Sequence, residues 1–247
     1  MIALTIDCGN TSSKAVVWKD GNVEESFIFP LLNADILVPL FEKWKPWECG
    51  LCITGDFDVR LIETLRSLVD DRFFLLTPGV RLPFSIDYRS KKTLGPDRIA
   101  GAYGAYRISG GVACLIADCG TALTLDVVDG KGNFRGGNIA PGLSLRLKSL
   151  HEATSRLPLV PFSGDVPSFG YDTDTAIRSG VVLGMADEVE GAFLRAKALY
   201  GASSVVMTGG SCGPVFEILS QSGLPVVQDE FLVARGLLGI MDYNFSL

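Results

Sequence analysis

A chain of 247 residues, 47% hydrophobic and 20% charged, has enough apolar content to bury a core, which excludes a disordered polypeptide. Its formal net charge of -6 argues against nucleic acid as a partner, because an acidic surface repels a phosphate backbone. The opening run from Met1 to Ile6 lacks a basic leader and meets Asp7, and longer apolar stretches are broken by charge before the roughly 18 residues of a membrane span. A cytoplasmic chain with no membrane partner is the expectation.

The first segment reads as a hairpin. Residues 2–6 form a short apolar run, Asp7-Cys8-Gly9-Asn10-Thr11 is a polar turn, and residues 15–18 resume the strand. Asp20-Gly21 marks a second tight turn before a strand at residues 23–29. Helical spacing then covers residues 34–44 and 59–68, with extended runs at 51–53 and 73–76. Gly95-Pro96-Asp97 opens a helix through about Arg107, with Pro where its missing N–H costs nothing.

A second apolar run at residues 112–117 leads into Asp118-Cys119-Gly120-Thr121, a returning strand at 122–128, and a turn at Asp129-Gly130. Helices follow at residues 143–153 and 173–200, the latter carrying Ile177, Val181, Met185, Val189 and Phe193 at four-residue steps before Gly201. Residues 205–207 are extended and end in Thr208-Gly209-Gly210. Alternating strands and helices indicate an α/β protein.

The two Asp-Cys-Gly elements lie 111 residues apart, each followed by an Asp-Gly pair. A strand–turn–strand–turn order repeated at half-length points to two similarly folded lobes, residues 1–111 and 112–247, closing over a nucleotide. In each, a glycine lets backbone approach a ligand closely, and successive N–H groups can cradle phosphate oxygens. Asp7 and Asp118, at strand ends, can meet a cation. A single such turn is equally an ordinary hairpin turn; its repetition, with Thr208-Gly209-Gly210, favours the nucleotide. Neither a G-x-x-x-x-G-K-[ST] nor a G-x-G-x-x-G pattern is present.

Six cysteines include Cys49-x-x-Cys52, but with His151 as the single histidine, buried thiols explain them better than zinc. One histidine on a predicted helix also makes a poor general base, so carboxylates must carry proton transfer. Asp97 is a candidate, placed in a helix's first turn where the dipole favours its ionised form. Arg98 beside it can meet an anionic group. Each also has a plain reading: Asp97 as a helix-start residue, Arg98 pairing on the surface, Thr173 as a helix cap, Tyr88 as packing.

The ordered set Asp7-Cys8-Gly9-Asn10-Thr11-Ser12-Ser13-Lys14, Tyr88, Gly95-Pro96-Asp97-Arg98, Asp118-Cys119-Gly120-Thr121-Ala122, residues 136–142, Leu157-Pro158, Asp172-Thr173 and Thr208-Gly209-Gly210 resembles type III pantothenate kinases. These belong to the acetate and sugar kinase, Hsp70 and actin superfamily. The resemblance implies two ribonuclease H-like (actin-like) lobes with a nucleotide cleft between them. It also implies ATP- and Mg²⁺-dependent phosphorylation of the primary hydroxyl of pantothenate, the first step of coenzyme A synthesis.

By the same resemblance Asp7, Cys8, Gly9, Asn10, Thr11, Ser12, Ser13, Lys14 and Thr121 bind ATP. Asp118 holds a monovalent cation, potassium or ammonium. Tyr88, Gly95, Pro96, Asp97, Arg98 and Thr173 bind pantothenate, with Asp97 as proton acceptor. Lys91 and Pro96 depart from the family's usual residues. The resemblance further implies a homodimer, for which Ala192, Ala196 and Ala198 on the long helix offer a surface of close approach; they suit an ordinary core as well. The competing readings are a non-catalytic nucleotide-binding regulatory or accessory factor of the same fold, and a kinase for a sugar or acetate-like acceptor.

Overall fold

The computed structural model describes residues 1–55 and 57–247. They divide into two compact units, Met1–Gly104 with Phe231–Leu247, and Ala105–Glu230.

The first unit begins with strands β1 (Ile2–Cys8), β2 (Ser13–Lys19) and β3 (Asn22–Phe29). Asp20 and Gly21 join β2 to β3 with φ of 50° and 80°, the left-handed pair that a tight hairpin needs to match strand twist. Helix α1 (Ala34–Trp44) follows. Its N-cap is Asn33, whose side chain accepts from the Ile36 N–H at 3.1 Å. Next come β4 (Glu48–Ile53), α2 (Arg60–Val69), β5 (Phe73–Leu75), the two-residue β6 (Ser85–Ile86) and α3 (Pro96–Ile108). The sheet order is β3-β2-β1-β4-β5, with β4 and β5 parallel to β1 and the hairpin strands antiparallel. One sheet face buries Leu4, Ile6, Ala15, Val17 and Leu51 against Leu37 of α1 and Leu61 and Leu65 of α2.

The second unit repeats this plan. Its strands are β7 (Cys114–Cys119), β8 (Ala122–Val128), β9 (Asn133–Pro141), β10 (Ser204–Thr208) and β11 (Val226–Gln228). They run in the order β9-β8-β7-β10-β11 with the same pattern of parallel and antiparallel pairs. Both second hairpins even shift register at matching places, between Val17 and Trp18 and between Val127 and Val128. This is the doubled ribonuclease H-like plan expected from the sequence. Helices α4 (Leu143–Glu152), α5 (Thr173–Tyr200) and α6 (Cys212–Gln221) complete the unit, and α7 (Leu232–Phe245) ends the chain. Ile177, Val181, Met185, Val189 and Phe193 of α5 all enter the core.

Three expectations need correction. The halves expected at 1–111 and 112–247 differ from the compact units, because α7 packs back on the first. Gly236 of α7 lies so close to α3 that a Cβ would sit 1.8 Å from the Ala100 carbonyl oxygen, and Leu237 and Met241 fill the space beside Gly50 of β4. The turn placed at Asp129-Gly130 is longer: Asp129 N–H donates to Asn133 O at 3.0 Å, and the left-handed residue is Gly132, φ 74°. Ala192 and Ala196 are buried in their own unit's core, so their small size serves packing within the chain.

The α3–α7 contact yields a stability prediction. Gly236→Ala places a methyl group against rigid backbone, and overpacking of this kind costs about 1–3 kcal/mol or more. Gly184→Ala on α5, with nothing within 4 Å of the added carbon, should instead be neutral or stabilising. Thermal melts of both variants check this; equal melting temperatures would contradict the packing account.

Candidate active site

Asp7, Lys14, Asp97 and Arg98, all expected in the site, belong to the first unit. Asp7 and Lys14 are cross-strand partners at the turn end of the β1–β2 ladder. The turn between them closes through Gly9 N–H donating to Ser12 O at 3.1 Å, which leaves Asn10 and Thr11 exposed at its tip. Behind the turn, the N–H groups of Thr54 and Gly55 both donate to Cys8 O, at 2.9 and 3.1 Å. A Cβ on Gly55 would lie 2.3 Å from Gly9 O, so only glycine lets this second loop brace the first. Cys8 and Ser13 are buried in the flanking strands and hold the turn rather than face a ligand.

Asp97 and Arg98 open α3. The Asp97 carboxylate accepts from the Arg98 N–H at 2.8 Å, and a Cβ on Gly95 would come within 2.4 Å of it. Gly95 is therefore the seat of this carboxylate. Burial raises the Asp97 carboxyl above its ordinary value, and the Arg98 N–H and guanidinium offset this only in part. The helix-start argument foresaw a favoured ionised form; desolvation outweighs it. Arg98 is buried, which rules out the surface ion pair entertained for it, and its guanidinium lies 5.8 Å from the Tyr88 ring centroid.

Cys52 ties the two carboxylates together. It pairs with Asp7 in the β1–β4 ladder, is fully buried, and donates its thiol hydrogen to the Asp7 carboxylate. Burial pushes the thiol up, and the negative charges of Asp7 and Asp97 push it further. One thiol feels both carboxylates, so they share one neighbourhood.

The second unit repeats the turn. Asp118 is half-buried at the end of β7, where Thr208 and Thr124 are its neighbours in the ladders on either side. Gly209, φ 95°, presses on it: a Cβ there would meet the Asp118 carboxylate at 2.6 Å and Cys119 backbone at 2.5 Å. Gly142 is equally tight, since a Cβ there would lie 2.1 Å from the Gly120 carbonyl oxygen, and it donates its N–H to Thr121 O. Thr121 is exposed at the tip. Thr173 is also exposed, at the start of α5, and takes no part in the cap, which Asp172 and Thr175 make reciprocally.

Some of this was missed in the sequence. Thr54-Gly55 stands at the end of the fourth strand of the first unit as Thr208-Gly209 does in the second, and this second repeat was visible beside the first. Cys52 was read only as a packing thiol. His151 is exposed, its Nδ1–H donating to Leu157 O at 2.7 Å. All six cysteines are buried free thiols. Among the described residues no group of three or more His, Cys, Asp and Glu side chains stands together as a metal site, and no helix is long and apolar enough to cross a membrane.

The residues fit a nucleotide with its cation. In the first unit Gly9 and Gly55 bring two backbone loops together beside Asp7 and Lys14, and in the second Gly142 and Gly209 do the same beside Asp118; amide hydrogens at glycine turns of this kind can meet phosphate oxygens. The doubled α/β plan with its glycine turns defines the class of the chain as actin-like. A sequence profile of type III pantothenate kinases matches residues 50–195. A type III pantothenate kinase of Azobacteroides pseudotrichonymphae is 35% identical over 98% of this chain and 96% of its own. One of Phocaeicola vulgatus is 33% identical over 99% of each. Among solved structures, a Campylobacter jejuni protein described as a Baf family transcriptional activator superposes with a TM-score of 0.65. It is 22% identical, over 99% of this chain and all of its own, a likeness of fold. The chain belongs to the type III pantothenate kinase family.

The raised Asp97 carboxyl has a consequence for stability. Its ionised form is disfavoured by the fold, so stability is lost as pH rises from the unfolded carboxyl's range through the raised folded value. Asp97→Asn keeps the acceptor oxygen for the Arg98 N–H and removes the buried charge. The variant should melt above the parent at neutral pH, with the gap closing as pH falls toward 4. A gap that is constant or reversed would show that burial does not dominate.

Proposed function

We propose that the chain transfers the γ-phosphoryl group of ATP to the primary hydroxyl of pantothenate, the opening reaction of coenzyme A synthesis. The observation that carries this reading is the likeness to type III pantothenate kinases over 98% of the chain. It does not favour the non-catalytic alternative.

In this reading the N–H groups of the Gly9–Ser12 turn and the Lys14 ammonium hold ATP phosphates, and Thr121 contacts the nucleotide from the second turn. A divalent ion, Mg²⁺, when bound, neutralises charge on the phosphates. Asp118 holds a monovalent cation, potassium or ammonium, its glycine-packed carboxylate supplying one oxygen. Asp97 accepts the hydroxyl proton. A raised carboxyl is the better base here, and because phosphoryl transfer has a loose transition state, late and well-positioned proton acceptance suffices. Arg98, stiffened by the Tyr88 ring, meets the carboxylate of pantothenate or charge developing on the phosphoryl group. Gly95 and Pro96 shape the rim, and Thr173 adds a hydroxyl.

ADP release measured across pantothenate, glycerol, glucose and acetate tests the reading. Pantothenate alone should support turnover, Mg²⁺ should be required, and Asp97→Asn should lose about 10²–10⁴ in rate while nucleotide binding survives. Replacing potassium and ammonium by tetramethylammonium should abolish activity, and Asp118→Ala should imitate that loss. Turnover with another acceptor, or an active Asp97→Asn, would overturn the assignment.

The working form in this reading is a homodimer whose partner completes the acceptor pocket. Phe169 and Tyr171, just ahead of Thr173, are 91% and 72% exposed, and large apolar side chains left in water beside a substrate residue suit a two-fold contact. Sedimentation over a concentration series should give a dimer that pantothenate tightens, and Phe169→Ser should weaken it. A fully active monomer at every concentration would refute the shared pocket.

A further inference from the structure

Lys14 is held from below by the last helix. Its Nζ stands 5.4 Å from the centroid of the Phe231 ring, and Phe231 is the residue at which the chain re-enters the first unit. One helical turn on, the Arg235 guanidinium stands 5.4 Å from the Trp18 ring centroid. The two contacts match in spacing: Phe231 and Arg235 are i and i+4 along the start of α7, while Lys14 and Trp18 are i and i+4 on one face of β2. Trp18 is itself immovable, buried with its Nε1–H donating to the buried Thr5 hydroxyl at 2.7 Å. The Trp18–Arg235 contact therefore fixes where the first turn of α7 lies on β2, and the Phe231 ring follows.

We infer that Phe231 is a positioning residue for nucleotide binding, its ring fixing the Lys14 ammonium at the turn end of the β1–β2 ladder. A lysine ammonium is a point charge on a flexible four-carbon stem, and its use at a phosphate costs the ordering of that stem. An aromatic face attracts the ammonium without cancelling its charge, so the stem is ordered beforehand and the positive charge still serves the ligand. The role rests on the phosphate-binding reading of Lys14.

The experiment is a double-substitution cycle on the full-length chain, reading the equilibrium affinity for ADP and for a non-hydrolysable ATP analogue beside kcat and both KM values. Phe231→Leu should weaken nucleotide binding about 3–30-fold, the range of a cation–π contact, with the pantothenate KM unchanged. Phe231→Trp should restore it. Phe231→Met, which keeps volume but lacks a ring face, should behave as Phe231→Leu and serves if leucine disturbs folding. With Lys14→Met already present, Phe231→Leu should do no further harm. Additive losses, or an aliphatic variant that binds nucleotide normally, would overturn the role of Phe231 while leaving that of Lys14 standing. A Lys14→Met variant with parental affinity would overturn both.

Discussion

The crossing of α7 on α3 is the contact on which the first unit's functional face depends. Gly236 lets the two helices touch backbone to backbone, with no room for even one methyl group beside the Ala100 carbonyl. A few residues along, Gly104 is as tight: a Cβ there would lie 2.6 Å from the Leu232 carbonyl oxygen. Such closeness fixes the approach of α3, and the first turn of α3 carries Asp97 and Arg98. It also fixes the start of α7, which brings Phe231 under Lys14. Helices held by side-chain packing alone stand about 8–10 Å apart and tolerate repacking; a backbone contact between glycines does not.

That rigidity lets a costly carboxylate survive. An acid that is buried against its own preference is a standing loss of stability, and it persists only where the surroundings over-determine it. At Asp97 the surroundings are Gly95, which leaves the carboxylate its place, and the Arg98 N–H, which orients it. Cys52 then joins the site by contributing a neutral donor to Asp7 in a neighbourhood that already holds two negative charges. A chain of net charge -6 binds an anionic nucleotide by such local means: amide hydrogens at glycine turns, a few placed cations, and bound metal ions.

Much of this was legible in the chain itself. The hairpins, the repeated Asp-Cys-Gly turns and helix α5 followed from turn residues and four-residue spacing, which are local signals. What escaped was tertiary. Nothing near residue 236 announces that it will meet residue 100, so α7 was assigned to the wrong half. The helix-start position of Asp97 is a local fact favouring its charge, while its burial depends on neighbours distant in sequence, and burial prevails. For Ala192 and Ala196 the sequence left core packing and close helix approach equally open, and the core of their own unit decides for packing, while Ala198 is exposed. At the Asp129 turn the eye falls on Gly130, yet Gly132 is the residue that turns left-handed, because the carboxylate of Asp129 accepts from both the Lys131 and Asn133 N–H groups and draws the loop out.

The most direct test of the account follows the phosphorus atom. Phosphoryl transfer to the primary hydroxyl of pantothenate places phosphorus next to a CH₂ group, whereas transfer to its secondary hydroxyl places it next to a single CH. Proton-coupled ³¹P NMR of the purified chain with ATP, Mg²⁺, potassium and pantothenate distinguishes these outcomes in one spectrum. The account predicts a new phosphomonoester signal split into a triplet, growing in step with ADP. A doublet, or a lone singlet of inorganic phosphate, would contradict it.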